Sequence, residues 1–334
     1  MKKLFLIAMT AVLFASCGKK QETTNLYTPD PEGFDYVVDA FADMQIMRYR
    51  VTGIETLSLK QQELLYYLSE AALCGRDIIW DQNGKDHLQI RRVLEAVYTS
   101  DVDKTTDDFK AFEIYLKRAW VSNGIHHHYS GAKFVPEFSQ PWFEEAFGAL
   151  APEALPLKEG QSAAELLAMM NGYLFDPTVA PLHKNQAAGV DLLATSSSNY
   201  YQGVSQKEAE DFYNAMKDPQ DPEPIMFGMN SKLVKGEDGA LYEDTYKIGG
   251  LYSDAMERIV YWLEKALTVT ETPEQHAALE KMIEFYRSGD LKDFDEYAKL
   301  WVKDTESLID YVCCYTESYG DPLGYKASSE ALIN

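Results

Sequence analysis

Asp310-Tyr311-Val312-Cys313-Cys314-Tyr315-Thr316-Glu317-Ser318-Tyr319-Gly320-Asp321-Pro322-Leu323-Gly324 gathers acids and tyrosines beside a Pro-Gly turn close to the last residue. Carboxylates accept hydrogen bonds from ammonium donors, and tyrosine offers both a ring face and a hydroxyl. The stretch therefore reads as one half of a ligand site. Just upstream, the spacing of apolar residues predicts a helix from Phe294 to Asp310, which would set Asp310 on an exposed helical face.

Working outward, helical signals dominate. Val37, Val38, Phe41, Met44 and Met47 recur at helical spacing, so the fold is expected to begin with a helix from about Phe34. Ser58 with Gln61 forms a capping box for a helix that carries Leu64, Leu65, Leu68, Ala71 and Ala72 and closes at Gly75. Further helices are expected over His87–Tyr98 and Thr106–Ser122, the latter striped by Phe109, Phe112, Leu116, Ala119 and Trp120. Ser162 with Glu165 and Ser205 with Glu208 repeat the capping box. After the Pro219–Pro224 break, short extended segments around Gly236-Glu237-Asp238-Gly239 predict a small sheet. Helices return over Ser253–Leu267 and from Pro273, with Gly289 as the stop.

With 334 residues and 46% apolar composition, the chain can build a substantial core. A formal charge of -22 opposes phosphate backbones and anionic lipid surfaces, which argues against a nucleic-acid partner. Lys2-Lys3, an apolar run from Leu4 to Ala15 and then Ser16-Cys17-Gly18 read as a signal peptide over residues 1–17. It resembles the lipobox of bacterial lipoproteins, which makes Cys17 the lipidated residue and places the protein in the bacterial cell envelope, as a periplasmic or outer-membrane lipoprotein. A simply cleaved secretory signal is the alternative. Residues 18–33 read as a flexible tether, and the folded part is expected over 34–334. The remaining Cys74, Cys313 and Cys314 make no disulfide framework and lack metal-ligand spacing.

Asn123-Gly124-Ile125-His126-His127-His128-Tyr129 follows a long helix, and Gly124 is the expected left-handed stop. Consecutive side chains do not converge on one point, so the histidines are read as a polar loop rather than a metal site. Ser122-Asn123-Gly124 with Lys133-Phe134-Val135-Pro136, Tyr200-Tyr201-Gln202-Gly203-Val204, and Phe227-Gly228-Met229-Asn230-Ser231-Lys232-Leu233 through Gly249-Gly250-Leu251-Tyr252 resemble blocks of the dipeptidyl peptidase III family, especially its bacterial members. The closing block, Trp301-Val302-Lys303-Asp304-Thr305, then Asp310, then Glu317-x-Tyr319-x-Asp321-Pro322-x-Gly324, matches that family in order and spacing. A departure is Cys313-Cys314, where the family has Asn-Gly.

The resemblance implies a zinc peptidase that removes dipeptides from the amino end of oligopeptides. It implies that Asp310 holds the substrate's amino group, that Tyr129 contacts the peptide and that Asn123 shapes the loop. Glu317, Tyr319 and Asp321 are read as scaffolding around the Pro322 turn. The family's zinc sequence, His-Glu-x-x-x-His, is not in this chain: no histidine is followed by glutamate. Zinc is accordingly expected in the complete family enzyme, none on this chain, and no catalytic residue within it. The fold class expected is α+β, mostly helical with a small β-sheet or partial barrel, forming the lower-lobe portion of a two-lobed peptidase. The chain would be truncated, with a C-terminal lobe as its missing intramolecular partner. A second reading, from another class, is a non-catalytic envelope lipoprotein that binds peptides or glycans through its aromatics.

Overall fold

The computed structural model describes residues 34–334, so the leader, Cys17 and the tether lie outside the described residues. The chain opens with two short strands, β1 (Val37–Phe41) and β2 (Met44–Met47), paired antiparallel. This corrects the helix expected from Phe34. Val38 is 59% exposed and Met47 45%, so the apolar residues do not form one buried stripe. Ala42, at φ 49, turns the chain back instead. The hairpin is held to the body by Asp39 on Lys117 and Asp43 on Arg118.

Helices follow as α1 (Leu59–Cys74), α2 (Arg76–Asn83), α3 (His87–Thr99), α4 (Asp107–Ser122), α5 (Gln140–Gly148), α6 (Ala163–Phe175) and α7 (Gln206–Met216). The capping boxes read in the sequence are present at Ser58, Ser162 and Ser205, each satisfying donors that the first turn leaves open. The expected sheet is there too. β3 (Tyr201–Gln202) runs parallel to β4 (Ser231–Lys235), which pairs antiparallel with β5 (Leu241–Thr245). Then come α8 (Ser253–Leu267), α9 (Pro273–Ser288), stopped by Gly289 at φ 70, and α10 (Leu291–Trp301).

The helix expected to reach Asp310 ends at Trp301. Residues 311–315 instead form β6 (Tyr311–Tyr315), antiparallel to β7 (Ser329–Ile333). The reason is the run Tyr-Val-Cys-Cys-Tyr, whose β-branched and aromatic residues suit a pleated surface that is buried on the Tyr311, Cys313 and Tyr315 side.

Apolar side chains collect in three clusters. One joins α1, α2, α8, α9, α10 and β6; a second joins β2, α3, α4, α5 and α6; a small third sits between α7 and β4. The end of α2 is tied to β4 and to the segment that enters β7. Asp81 bridges to Lys232, Gln82 donates to the Ala327 carbonyl at 3.0 Å and accepts from the Ser329 N–H at 2.8 Å. Lys232 is 8% and Gln82 0% exposed, so these polar groups can be buried only because they are matched.

Candidate functional site

Between the two large clusters lies a cavity of about 550 Å³. One wall is the loop after α4, including Asn123, His126, His128 and Tyr129; the opposite wall is Tyr319, Gly320 and the start of β7 with Glu330. The structure thus brings two of the sequence-read residues, Asn123 and Tyr129, to one cavity. Asp310 is not in its lining.

Asn123 ends α4 at φ 50, and its carbonyl accepts from Asn83 Nδ2 at 3.1 Å. The left-handed residue is therefore Asn123 and not Gly124. Asparagine tolerates that conformation at modest cost. Gly124 is required for space: a Cβ there would stand 2.6 Å from His87 Nδ1. Tyr129 is 89% exposed, and its ring leans on His128 with centroids 4.3 Å apart. Its N–H and that of Ser130 donate to His127 Nδ1 at 3.1 and 3.3 Å, while His127 Nε2 faces Asp43 at 3.2 Å. The histidines do not all form a polar rim. His126 is 4% exposed and bonds the Ala180 carbonyl through Nε2 at 2.8 Å.

Asp310 is exposed at the mouth of the β6–β7 hairpin. Its backbone exchanges two hydrogen bonds with Asn334, both 2.9 Å. Its Oδ1 accepts from Trp301 Nε1 and from the Tyr311 N–H, each at 2.8 Å. These bonds fix one oxygen and leave the carboxylate's remaining lone pairs free for a cation. Alternation along the strands puts Asp310, Val312 and Cys314 on one side, opposite Leu332 and Glu330. Asp310 and the Glu330 level are therefore about 14 Å apart on one face, at about 3.4 Å per residue.

Glu330 was not singled out by the sequence. Burial, then the Glu317 charge, raises its carboxyl above the ordinary range, with the Tyr319 hydroxyl in partial opposition. Only strand pairing could have found it, since Glu330 faces the cavity through its register with Cys314. The side chain of Tyr319 is 65% exposed, and its carbonyl accepts from Lys184 Nζ.

Asp321 is scaffolding. At 2% exposure it accepts the Tyr201 hydroxyl at 2.7 Å and the N–H groups of Tyr325 at 2.8 Å, Lys326 at 2.9 Å and Leu323 at 3.1 Å. Lys326 is fully buried and donates to Tyr213 Oη and, at 2.8 Å, to Ser231 Oγ, with Glu243 at 3.5 Å. Burial lowers its ammonium to about 8 against the pull of Glu243. Cys313 and Cys314 are 4% and 2% exposed, and burial raises both thiols, that of Cys313 to about 11. They act as packing; the Tyr286 hydroxyl bonds the Cys313 carbonyl at 2.6 Å.

Comparison with known proteins gives this geometry its relatives. The model of peptidase family M49 matches residues 228–334, the segment that carries β4, β5, α8 to α10 and the β6–β7 hairpin. The dipeptidyl peptidase 3 of Homo sapiens is 21% identical over 324 residues, which cover 83% of this chain and 42% of the relative. The chain is similar to the dipeptidyl peptidase III family, and the M49 match falls on its C-terminal third. Dipeptidyl peptidase 3 of Rattus norvegicus is 20% identical over 345 residues, 87% of this chain and 45% of the relative. The chain thus spans less than half the length of these curated dipeptidyl peptidase III relatives. Among solved structures, dipeptidyl peptidase III from Caldithrix abyssi aligns with a TM-score of 0.53 at 18% identity, over 84% of this chain and 40% of that one. The enzyme from Corallococcus sp. strain EGB gives 0.53 at 16%, again over 84% and 40%. The mostly helical fold with small sheets is shared with them.

Peptidase family M49 is zinc-dependent in general. The residues present do not fit that ion. Among the described residues no three of histidine, cysteine, aspartate and glutamate are placed to hold a metal. His87, His126 and His183 come nearest, but His126 spends Nε2 on a carbonyl, and the two nitrogens of His87 lie against Gly84 and Gly124.

Proposed function

We propose that this chain is the peptide-recognising portion of a dipeptidyl peptidase that releases dipeptides from the amino end of oligopeptides. Asp310 takes the amino group, Tyr129 contacts the peptide, and Asn123 sets the loop that presents Tyr129. The observation that carries the reading is the Asp310 carboxylate, oriented by Trp301 and the strand backbone yet open to solvent. An ammonium offers three donors, which a partly free carboxylate can accept. The 14 Å or so from Asp310 to the Glu330 level spans about four residues of extended chain, so a peptide whose amine is at Asp310 reaches toward the cavity. In this reading the chain's residues bind and orient the peptide, and any metal chemistry would have to come from groups other than the described residues.

Calorimetric titration with an oligopeptide and its amino-acetylated form tests this. Free-amine peptide should bind about tenfold or more tighter, as expected for a charge-assisted hydrogen bond, and D310N should remove the difference. Equal affinity for both peptides would sink the assignment. With zinc added, the chain alone should release nothing from a chromogenic dipeptide substrate; release would refute its dependence on residues elsewhere. We also propose attachment to the bacterial cell envelope by a lipid on Cys17, which labelling with a fatty-acid analogue and the C17S variant would check.

A further inference from the structure

Beneath the cavity, His87 at the start of α3 is 1% exposed, His126 after α4 is 4%, and the half-buried His183 touches the space beside Gly320. Their ring centroids are 5.6 Å apart for His87–His126 and 5.9 Å for His126–His183. Among the described residues, both nitrogens of His87, Nδ1 of His126 and Nε2 of His183 find no protein hydrogen-bond partner. Buried polar atoms are nearly always paired, so four orphans in one place mark a spot kept for something other than packing.

The charged groups around them are arranged one way. Lys133, from the loop after α4, is bound to the carbonyls of Asp176 and Val179. Lys184, beside His183, reaches the Tyr319 carbonyl on the opposite wall. The carboxylates nearby are engaged elsewhere. Asp86, before α3, holds Lys158 at 2.6 Å and Tyr173 at 2.9 Å. Asp176, after α6, holds Thr178; Asp43, on the β1–β2 hairpin, holds Arg118 and His127. Across the cavity, Glu330 is near Glu317 and Tyr319. The remaining imidazole, His128, shares a hydrogen bond with Ser122 at 3.3 Å. Among the described residues, none of His87, His126 and His183 has an ion pair.

We propose that the three imidazoles form an acid-operated latch. While they are neutral, the loop after α4 and the Leu182–Lys184 segment close against the Gly320 turn. Protons taken from water place like charges among two lysines and push these segments apart, opening the cavity wall that holds Asn123 and Tyr129.

Burial holds His126 and His183 down to about 4, and His87 well below the ordinary 6.5. The open form, whose histidines regain the ordinary value, then binds more protons between pH 6.5 and about 4. Closure is complete above 6.5 and weakens as pH falls through that window, by up to about tenfold per pH unit for each histidine.

The latch does not depend on the peptide reading, and its test needs no peptide. Hydrogen exchange on the full chain should show the amides of His127, Phe134 and His183, bonded to Ala132, Ile125 and Gly131 carbonyls, losing protection by at least about tenfold between pH 7 and 5. The amides of α9 should keep theirs after correction for intrinsic rates. H126Q/H183Q, which keeps polar side chains but cannot titrate, should flatten the response. Should that variant not fold, proton NMR of the unaltered chain decides: at least two imidazoles must stay neutral at pH 5.5. Unchanged protection, or all imidazoles titrating near 6.5, would overturn the latch. Protection raised at pH 7 by zinc alone would overturn it too, in favour of a metal site.

Discussion

Lys326 carries an ammonium into a place from which water is excluded, and it is tolerated because Tyr213, Ser231 and Glu243 surround its Nζ. Its folded value of about 8 is below the ordinary 10.5, so the unfolded chain holds more protons between those limits. The sign follows: the stability this group contributes is complete above 10.5 and is lost as pH falls toward 8. Replacing it by methionine should cost about 1–3 kcal/mol at pH 7, from the partners left unmatched. The same variant should lose the rise in stability between pH 8 and 10, read from urea unfolding midpoints at each pH. A second residue-scale test concerns the end of α4. N123G should be neutral within a few tenths of a kcal/mol, because glycine accepts the left-handed conformation that Asn123 occupies at φ 50. G124A should cost more than about 2 kcal/mol, because its methyl would meet His87 at 2.6 Å. Equal effects of the two would show that the helix stop, and not the histidine, sets the need for glycine.

At the scale of elements, what could be read depended on whether a local signal settled the conformation. Ser205 with Glu208 fixes the start of α7 by bonds between near neighbours, so its position was legible without the rest of the chain. S205A should destabilise by about 1 kcal/mol, and a thermal melt lower by a few degrees checks it. Other elements went the other way. Val37 to Met47 had helical spacing but pairs as strands, because a turn at Ala42 and ion pairs to α4 decide its shape. The segment beyond Trp301 turned into loop and strand once β7, whose last paired residue is 22 positions away from Tyr311, was there to pair with it. Strand pairing across that separation leaves no mark on local periodicity. α2, packed directly behind Gly75, and α5 carried signals too short to stand out.

For the molecule as a whole, the point of leverage is the polar tie at the end of α2, where Asp81 meets Lys232 and Gln82 spans to the β7 segment. Removing one member of such a buried pair strands the other, so D81N should cost about 3 kcal/mol. It should also loosen the neighbouring strands first, with exchange at the Leu233 and Ser329 amides rising ahead of that in α9. Exchange that rises evenly across the chain would show that apolar contact alone holds these strands. What the sequence determined by itself was local and compositional: capped helices, the Gly289 stop, the small sheet and the ordered block around Pro322 that led to the family. These depend on neighbours within a few residues or on spacing. Tertiary structure alone decided which side chains meet. Asn123 and Tyr129 share a cavity with Glu330, Asp310 stands apart on the far end of the same hairpin, and three distant histidines converge beneath them. That convergence is set by strand register and the packing of clusters, which act between residues far apart in the chain and close only in space.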